Sequence, residues 1–212
     1  FSYGSANIVD EHRGVPFGDQ IYVFDFGLLS TEVCEDFWSP DGPTKRRAFA
    51  GAELVINISG SPYRIGIVQT RRDLVATRAA DYQVALVYTN LVGSNDGLVF
   101  DGGGYVSQNG RMLHDAPRFT EGFTTCVVDL DRTARLRSEN TTWRTDRAHY
   151  IATEPLPRTI DVPVEIINTH EGRTTLTYPV PANRSFFLPS DETPRPYRAE
   201  LFEDILDALA LG

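Results

Sequence analysis

Lysine is almost absent from this sequence. Lys45 is the only one, and the other 19 basic residues are arginines. Chemistry that needs a lysine must therefore use Lys45 or take a lysine from outside the chain. Methionine is as scarce: Met112 is the only one, and the chain begins at Phe1. The sequence thus reads as a fragment whose translation start lies further upstream. Two cysteines, Cys34 and Cys126, are too few for a disulfide framework, which favours a reducing, cytoplasmic compartment. No apolar run approaches the ~18 residues of a membrane-spanning helix, and no signal-like start or targeting tail is visible. Basic residues are outnumbered 20 to 29 by acidic ones, for a net charge of −9. That balance disfavours a general nucleic-acid binder, since phosphate contacts need a basic face. Hydrophobic residues make up 41%, enough for a folded core, so a wholly disordered chain is excluded.

Elements follow from pattern. Phe1 to Gly18 reads as loop. Ile21–Phe24 and Leu28–Val33 are β-rich runs separated by the turn residues Asp25 and Gly27, hence a strand pair. Lys45–Ala52 is helical in pattern, with Gly51 as its stop. Leu54–Ile58 is an apolar run with a polar centre, expected to be buried on both faces. Val68–Gln83 carries Leu74, Val75, Arg78 and Ala79 at helical spacing, with arginines expected on the opposite face. Val84–Asn90 is a further buried strand. The glycines at 102–104 are expected to serve turns between strands. Asn109-Gly110 predicts a hairpin turn. Thr124–Asp129, with Cys126, reads as a last core strand, followed by a helix over 131–137. Strands alternating with helices describe an α/β layered domain. Eight prolines then fall between Pro155 and Pro196, which reads as a connector over 154–196. The segment 197–212 is an amphipathic helix whose apolar face (Leu201, Phe202, Ile205, Leu206, Leu209) has no evident partner in the chain.

Two segments carry chemistry. In Thr31-Glu-Val-Cys-Glu-Asp-Phe-Trp-Ser-Pro40 a cysteine ends a hydrophobic strand, where ligand crevices of α/β sheets lie. A thiol held there on a tight turn has the next backbone N–H groups available to a developing oxyanion. The bland alternative is a buried cysteine before a solvated acidic turn. Asn57-Ile-Ser-Gly-Ser-Pro-Tyr63 is a second strand-end loop, with hydroxyls flanking a glycine that lets a ligand approach the backbone. The Asp- and Gly-rich stretch from Asp96 to Gly104 fits no phosphate-loop or EF-hand pattern. The four histidines, His12, His114, His149 and His170, have no metal-ligand spacing.

Together these stretches resemble the nitrilase (carbon–nitrogen hydrolase) superfamily, and within it the glutaminase domain of glutamine-dependent NAD⁺ synthetases. The resemblance rests on Glu32-Val-Cys-Glu-Asp-Phe-Trp-Ser-Pro40, Ala50–Pro62, Arg72–Ala79, and Val87–Asp96 leading into Leu98–Gly103, in order and without evident gaps from about residue 30 to 140. It implies an αββα sandwich, four-layered when dimerised and here incomplete at its N-terminus. Residues 1–153 would be the C-terminal part of the hydrolase domain, 154–196 the connector, and 197–212 a helix leading into a synthetase domain in cis. It implies hydrolysis of the glutamine amide through a thioester on Cys34, with Glu35 and Ser61 contacting the substrate. The ammonia would serve ATP-dependent amidation of nicotinic acid adenine dinucleotide. ATP and magnesium would belong to the synthetase domain and no cofactor or metal to this one. Glutamine or another small amide would be the ligand, with a homo-oligomeric assembly and neither nucleic acid nor membrane as partner. The family's lysine and general-base glutamate precede its cysteine, and the lysine position falls at or before Phe1, so the fragment alone is expected to lack activity. After Gly66 the family carries a basic residue where this chain has Ile67; Arg64 or Arg71 would have to replace it. A nitrilase-family amidase with another substrate and a non-catalytic relative remain the alternatives.

Overall fold

The structure, a computed structural model, describes residues 9–12, 15–162 and 197–211. Ten strands and five α-helices follow one another: β1 (Val9–His12), β2 (Val15–Gly18), β3 (Gln20–Phe24), β4 (Gly27–Val33), a short 3-10 helix (Cys34–Trp38), α1 (Pro43–Ala50), β5 (Leu54–Ser59), α2 (Ile67–Asp81), β6 (Ala85–Asn90), β7 (Val92–Asn95), β8 (Leu98–Gln108), β9 (Arg111–Arg118), α3 (Leu130–Glu139), α4 (Thr141–Thr153), β10 (Arg158–Asp161) and α5 (Tyr197–Leu211). One mixed sheet has the order β10-β3-β4-β5-β6-β8-β7, with β9 added against β8; β1 and β2 pair separately. The strands β4, β5 and β6 run parallel, so each connection must cross over. The 3-10 helix with α1 makes the first crossover, and α2 the second.

Both helices cover the same face of the sheet. Ala48 of α1 and Val75 and Ala79 of α2 pack with Val55, Leu86, Tyr88, Tyr105 and Phe37 in one core cluster. Strand alternation explains which residues are there. Val55, Asn57 and Ser59 of β5 face the helices and are buried, whereas Ile58 on the other face is exposed. The expectation that β5 is buried on both faces is thus corrected. The buried stripe of α2 also differs from expectation. Arg71 and Arg78 lie on it with Ile67, Val68, Val75 and Ala79, because each guanidinium finds fixed acceptors inside. Arg78 donates to the carbonyls of Phe37 and Trp38. Arg71, fully buried, donates from Nη1 to both carboxylate oxygens of Asp101, at 2.7 and 2.9 Å.

At the far end, α3 and α4 satisfy the backbone ahead of β5 and β6. Arg137 donates to the carbonyls of Gln83, Gly51 and Ala52, and burial pulls its pKa down to about 10. The Trp143 indole donates to the Tyr82 carbonyl. No signal in the sequence marked α4. The hairpin of β8 and β9 turns at Asn109 (φ +50°) and Gly110 (φ +89°), the pair of positive φ values that the Asn-Gly turn requires.

Three further expectations are corrected. Residues 124–129 form no strand: the segment is irregular, Phe123 just before it is 92% exposed and Cys126 is only half-buried. The glycines at 102–104 lie within β8 instead of turning between strands. A side chain at Gly102 (φ +67°) would meet Val92 Cγ2 at 2.2 Å, so only glycine lets β8 pass β7 there. The N-terminal stretch, read as loop, contains β1 and β2. The first connector residues include β10, parallel to β3; residues 163–196 lie outside the described residues. In α5, Asp204 accepts an ion pair from Arg118 while Leu206 and Leu209 stay exposed. Among the described residues no helix is long and apolar enough to cross a membrane.

The Arg71–Asp101 pair ties α2 to β8 at the core. Arg71→Leu leaves the buried Asp101 with only the longer contacts to Asn90 at 3.4 Å and Arg118 at 3.8 Å, and is expected to cost about 3–5 kcal/mol in urea unfolding. Arg72→Ala removes the half-exposed pair with Asp115 and is expected to cost under about 1 kcal/mol. Equal losses would show that burial of the pair does not set its contribution.

Candidate active site

The carboxyl ends of β4, β5 and β6 lie side by side, and the two chemistry-bearing segments of the sequence meet there. Strand β4 ends at Val33. Cys34 then takes φ +48°, a left-handed conformation that costs a non-glycine residue on the order of 1–3 kcal/mol. The chain turns at once into the 3-10 helix. This strand, strained residue and helix form the kind of sharp turn that lifts a nucleophile clear of a sheet.

The turn is held from several sides. Phe37 is fully buried with its ring 5.2 Å from that of Tyr88. Arg78 grips the carbonyls of Phe37 and Trp38, and the Tyr82 hydroxyl donates to the Pro40 carbonyl. The Asp36 carboxylate accepts from the Val33 N–H at 3.0 Å. Glu35 stays exposed at the mouth.

Behind the cysteine lies a buried polar group. Glu32 and Asn57 are register partners on β4 and β5, and both face the helices. Thr44 donates to Glu32 at 2.5 Å, and Asn57 Nδ2 donates to the other carboxylate oxygen at 3.3 Å. Asn57 Nδ2 also reaches the Cys34 carbonyl at 3.3 Å, while Ser59 donates to Asn57 Oδ1 at 2.7 Å. Burial drives the Glu32 carboxyl above its ordinary value, and the bonds from Thr44 and Asn57 and the charge of Arg47 only partly offset this.

The loop after β5 is equally constrained. The Ser61 N–H donates to Asn90 Oδ1 at 2.8 Å, and Asn90 Nδ2 returns a bond to the Ser61 carbonyl at 3.1 Å. Arg71 donates to the Ser61 and Pro62 carbonyls and to Ser61 Oγ. The Ser61 oxygen therefore accepts from Arg71, and its O–H remains a donor. Tyr88 Oη is buried beside this loop, near the Ser59 and Ser61 hydroxyls, and among the described residues no group meets hydrogen-bond geometry with it. Burial pushes the phenol up; Ser59, Arg71 and Ser61 pull it back, and the Cys34 thiol adds to the rise. A buried hydroxyl so loosely engaged by Ser59 and Ser61 is a donor that a polar ligand can complete.

Of the residues singled out in the sequence, Cys34, Glu35 and Ser61 come together at these strand ends. Lys45 does not join them: on α1 it pairs with Asp41 at 2.6 Å and sits over the Tyr150 ring. Arg71 is committed to Asp101 and the Ser61 loop, so it cannot replace the cation missing after Gly66. Ile67 is itself buried at the start of α2, whereas Arg64 is exposed in the loop. Cys126 lies elsewhere, lining a cavity of about 660 Å³ between β6, β8, β9 and residues 120–126; burial raises its thiol. Glu32, Asn57, Tyr88 and Asn90 were given no role from sequence. Polar residues at inward-facing strand positions were the available signal, most clearly Asn57 inside an apolar run. Among the described residues no cluster of His, Cys, Asp and Glu suits a metal ion.

With this geometry in place, comparison with known proteins is informative. The carbon–nitrogen hydrolase family matches residues 5–138. The chain belongs to that family. Its relatives include the glutamine-dependent NAD⁺ synthetases of Aquifex aeolicus, 34% identical over 141 residues, and of Thermotoga maritima, 35% identical over 139. These alignments cover 65% and 64% of this chain but 25% and 24% of those proteins, so the chain spans about a quarter of the length of the curated relatives it matches. A carbon–nitrogen hydrolase of Helicobacter pylori shares the fold, with a TM-score of 0.54 at 23% identity over 63% of this chain and 50% of that one. The carbon–nitrogen hydrolase domain is thus an enzyme domain with a nitrilase-like mixed sheet and flanking helices.

Because the folded pKa of Glu32 lies above the ordinary 4.5, its contribution to stability is fully present below that value and is lost as the pH rises through the folded pKa. Glu32→Gln is expected to remove this loss from the profile of unfolding free energy against pH, measured from pH 4.5 upward. Identical slopes in the two proteins would show that Glu32 titrates normally.

Proposed function

We propose that this domain hydrolyses the side-chain amide of glutamine through a thioester on Cys34. The observation that carries the proposal is the left-handed Cys34 at the end of β4, facing the Ser59–Ser61 loop, in a chain of the carbon–nitrogen hydrolase family. The thiolate sulfur adds to the amide carbon, and the carbonyl electron pair moves to oxygen. The oxyanion meets the Glu35 N–H, which has no acceptor within its own helix. Collapse expels ammonia, which takes a proton from the general acid, and leaves a glutamyl thioester. Water then adds to the thioester, glutamate leaves and the thiol is restored. In the resemblance the acid–base glutamate and the oxyanion lysine come from ahead of the cysteine. By the resemblance, exposed Glu35 and the Ser61 hydroxyl would contact the substrate.

Similarity to the NAD⁺ synthetases supports a larger role for the whole protein. The ammonia would serve ATP-dependent amidation of nicotinic acid adenine dinucleotide in a synthetase domain beyond α5, in a cytoplasmic homo-oligomer. ATP and magnesium belong to that domain. A second reading is favoured by Ile67 and by the internal engagement of Arg71. Without a fixed cation there, an amide with an uncharged tail suits the site as well as glutamine does.

Ammonia release from glutamine and from a panel of aliphatic amides, measured on the whole protein, tests both readings. Cys34→Ala is expected to abolish release and Cys126→Ala to leave it within about twofold, since loss of the nucleophile disables the set that acts with it. Equal losses from the two substitutions would overturn the assignment. Faster turnover of an aliphatic amide than of glutamine would favour the second reading.

A further inference from the structure

The amide of Asn57 has a fixed orientation. Its Oδ1 accepts from the Ser59 hydroxyl, so its NH₂ end must face Glu32 and the Cys34 carbonyl, which are both acceptors. The reversed amide would set an oxygen against a carboxyl group and a carbonyl. Thr44 completes the arrangement by donating to Glu32 from the opposite side. Asn57 is fully buried and Glu32 nearly so; with both partners on strands of the sheet core, the NH₂ group has little freedom to move. One of its bonds ends on the peptide that follows the nucleophile. In a trans peptide the C=O and N–H point in opposite directions. Holding the Cys34 carbonyl towards Asn57 therefore turns the Glu35 N–H away from the core.

We infer that Asn57, oriented by Glu32, Thr44 and Ser59, is the positioning residue of this site: it holds the Cys34–Glu35 peptide so that the Glu35 N–H faces an oxyanion formed at Cys34. The inference deepens the proposed function and rests on Cys34 being its nucleophile. Asn57 touches no reacting atom. Its part is to fix a donor whose misplacement spares the thiol but leaves the tetrahedral intermediate unsupported.

Two electrophiles separate these effects on the whole protein. Iodoacetamide alkylates a thiolate by displacing iodide, with no oxyanion. p-Nitrophenyl acetate acylates it through a tetrahedral oxyanion: the sulfur adds to the ester carbon and p-nitrophenolate leaves, giving a thioacetate. Each modification is followed by peptide mass spectrometry at Cys34, with Cys126 as the internal reference. Asn57→Asp keeps the shape of the side chain and removes the donor. It is expected to slow acylation of Cys34 by about 100-fold, the scale of a lost oxyanion donor, while alkylation of Cys34 and both reactions of Cys126 stay within about threefold. Asn57→Ala, which avoids a second buried carboxyl group, should show the same split and serves if Asn57→Asp fails to fold by circular dichroism. Unchanged acylation, or acylation and alkylation falling together, overturns the inference while leaving Cys34 as nucleophile. Should Cys34 of the unsubstituted whole protein react no faster than Cys126 with either reagent, the proposed function fails and the inference with it.

Discussion

A charged guanidinium at the centre of a sheet–helix interface is tolerated only when every donor finds an acceptor, and Arg71 meets that condition. Its partners are the Asp101 carboxylate, the Ser61 hydroxyl and the carbonyls of Ser61 and Pro62. One side chain thus joins α2, β8 and the loop after β5. Burying either charge alone would cost several kcal/mol, so the three elements move together or not at all. The burial of Asp101 just ahead of the left-handed glycines of β8 and the Asn90 bonds to Ser61 both serve this arrangement. The loop that faces Cys34 is consequently held by the core.

The nucleophile turn obeys the same rule at its own scale. The strained backbone of Cys34 persists because its surroundings leave it little alternative: Phe37 is packed below, Arg78 and Tyr82 hold carbonyls on one side, and Asn57 holds the Cys34 carbonyl on the other. Buried polar groups that are fully satisfied specify one geometry, because any displacement leaves one of them unpaired. Here that specificity falls on the residue to which amide chemistry is assigned. Tyr88 is the exception: among the described residues no group meets hydrogen-bond geometry with its buried hydroxyl, which has only the loose engagement of Ser59 and Ser61, and a ligand group can complete it.

Much of the scaffold was legible from local pattern. The β3–β4 pair, the strands β5 and β6, helix α2 and the Asn109-Gly110 hairpin depend on periodicity and turn chemistry, which neighbouring residues encode. The failures share one cause. Residues 124–129 carry strand-like composition, yet they pair with no strand of the sheet. Arg71 and Arg78 sit where a polar face was expected outward, because acceptors for them come from segments 9 to 41 residues away in sequence. Helix α4 shows weak periodicity and is held by Trp143, Arg147 and their distant carbonyl partners.

By itself, the sequence determined the family, the position of Cys34 at a strand end and the Ser59–Ser61 loop as its neighbour, since motif order and strand periodicity are local properties. Only the tertiary structure decided that Glu32 and Asn57 share a register, that Asn57 reaches the Cys34 carbonyl, that Lys45 stands apart, and that Arg71 is an internal brace unavailable to a substrate. Those are matters of which side chains meet across strands and helices, and a hydrogen bond between residues far apart in sequence is settled by packing, not by the residues on either side of them.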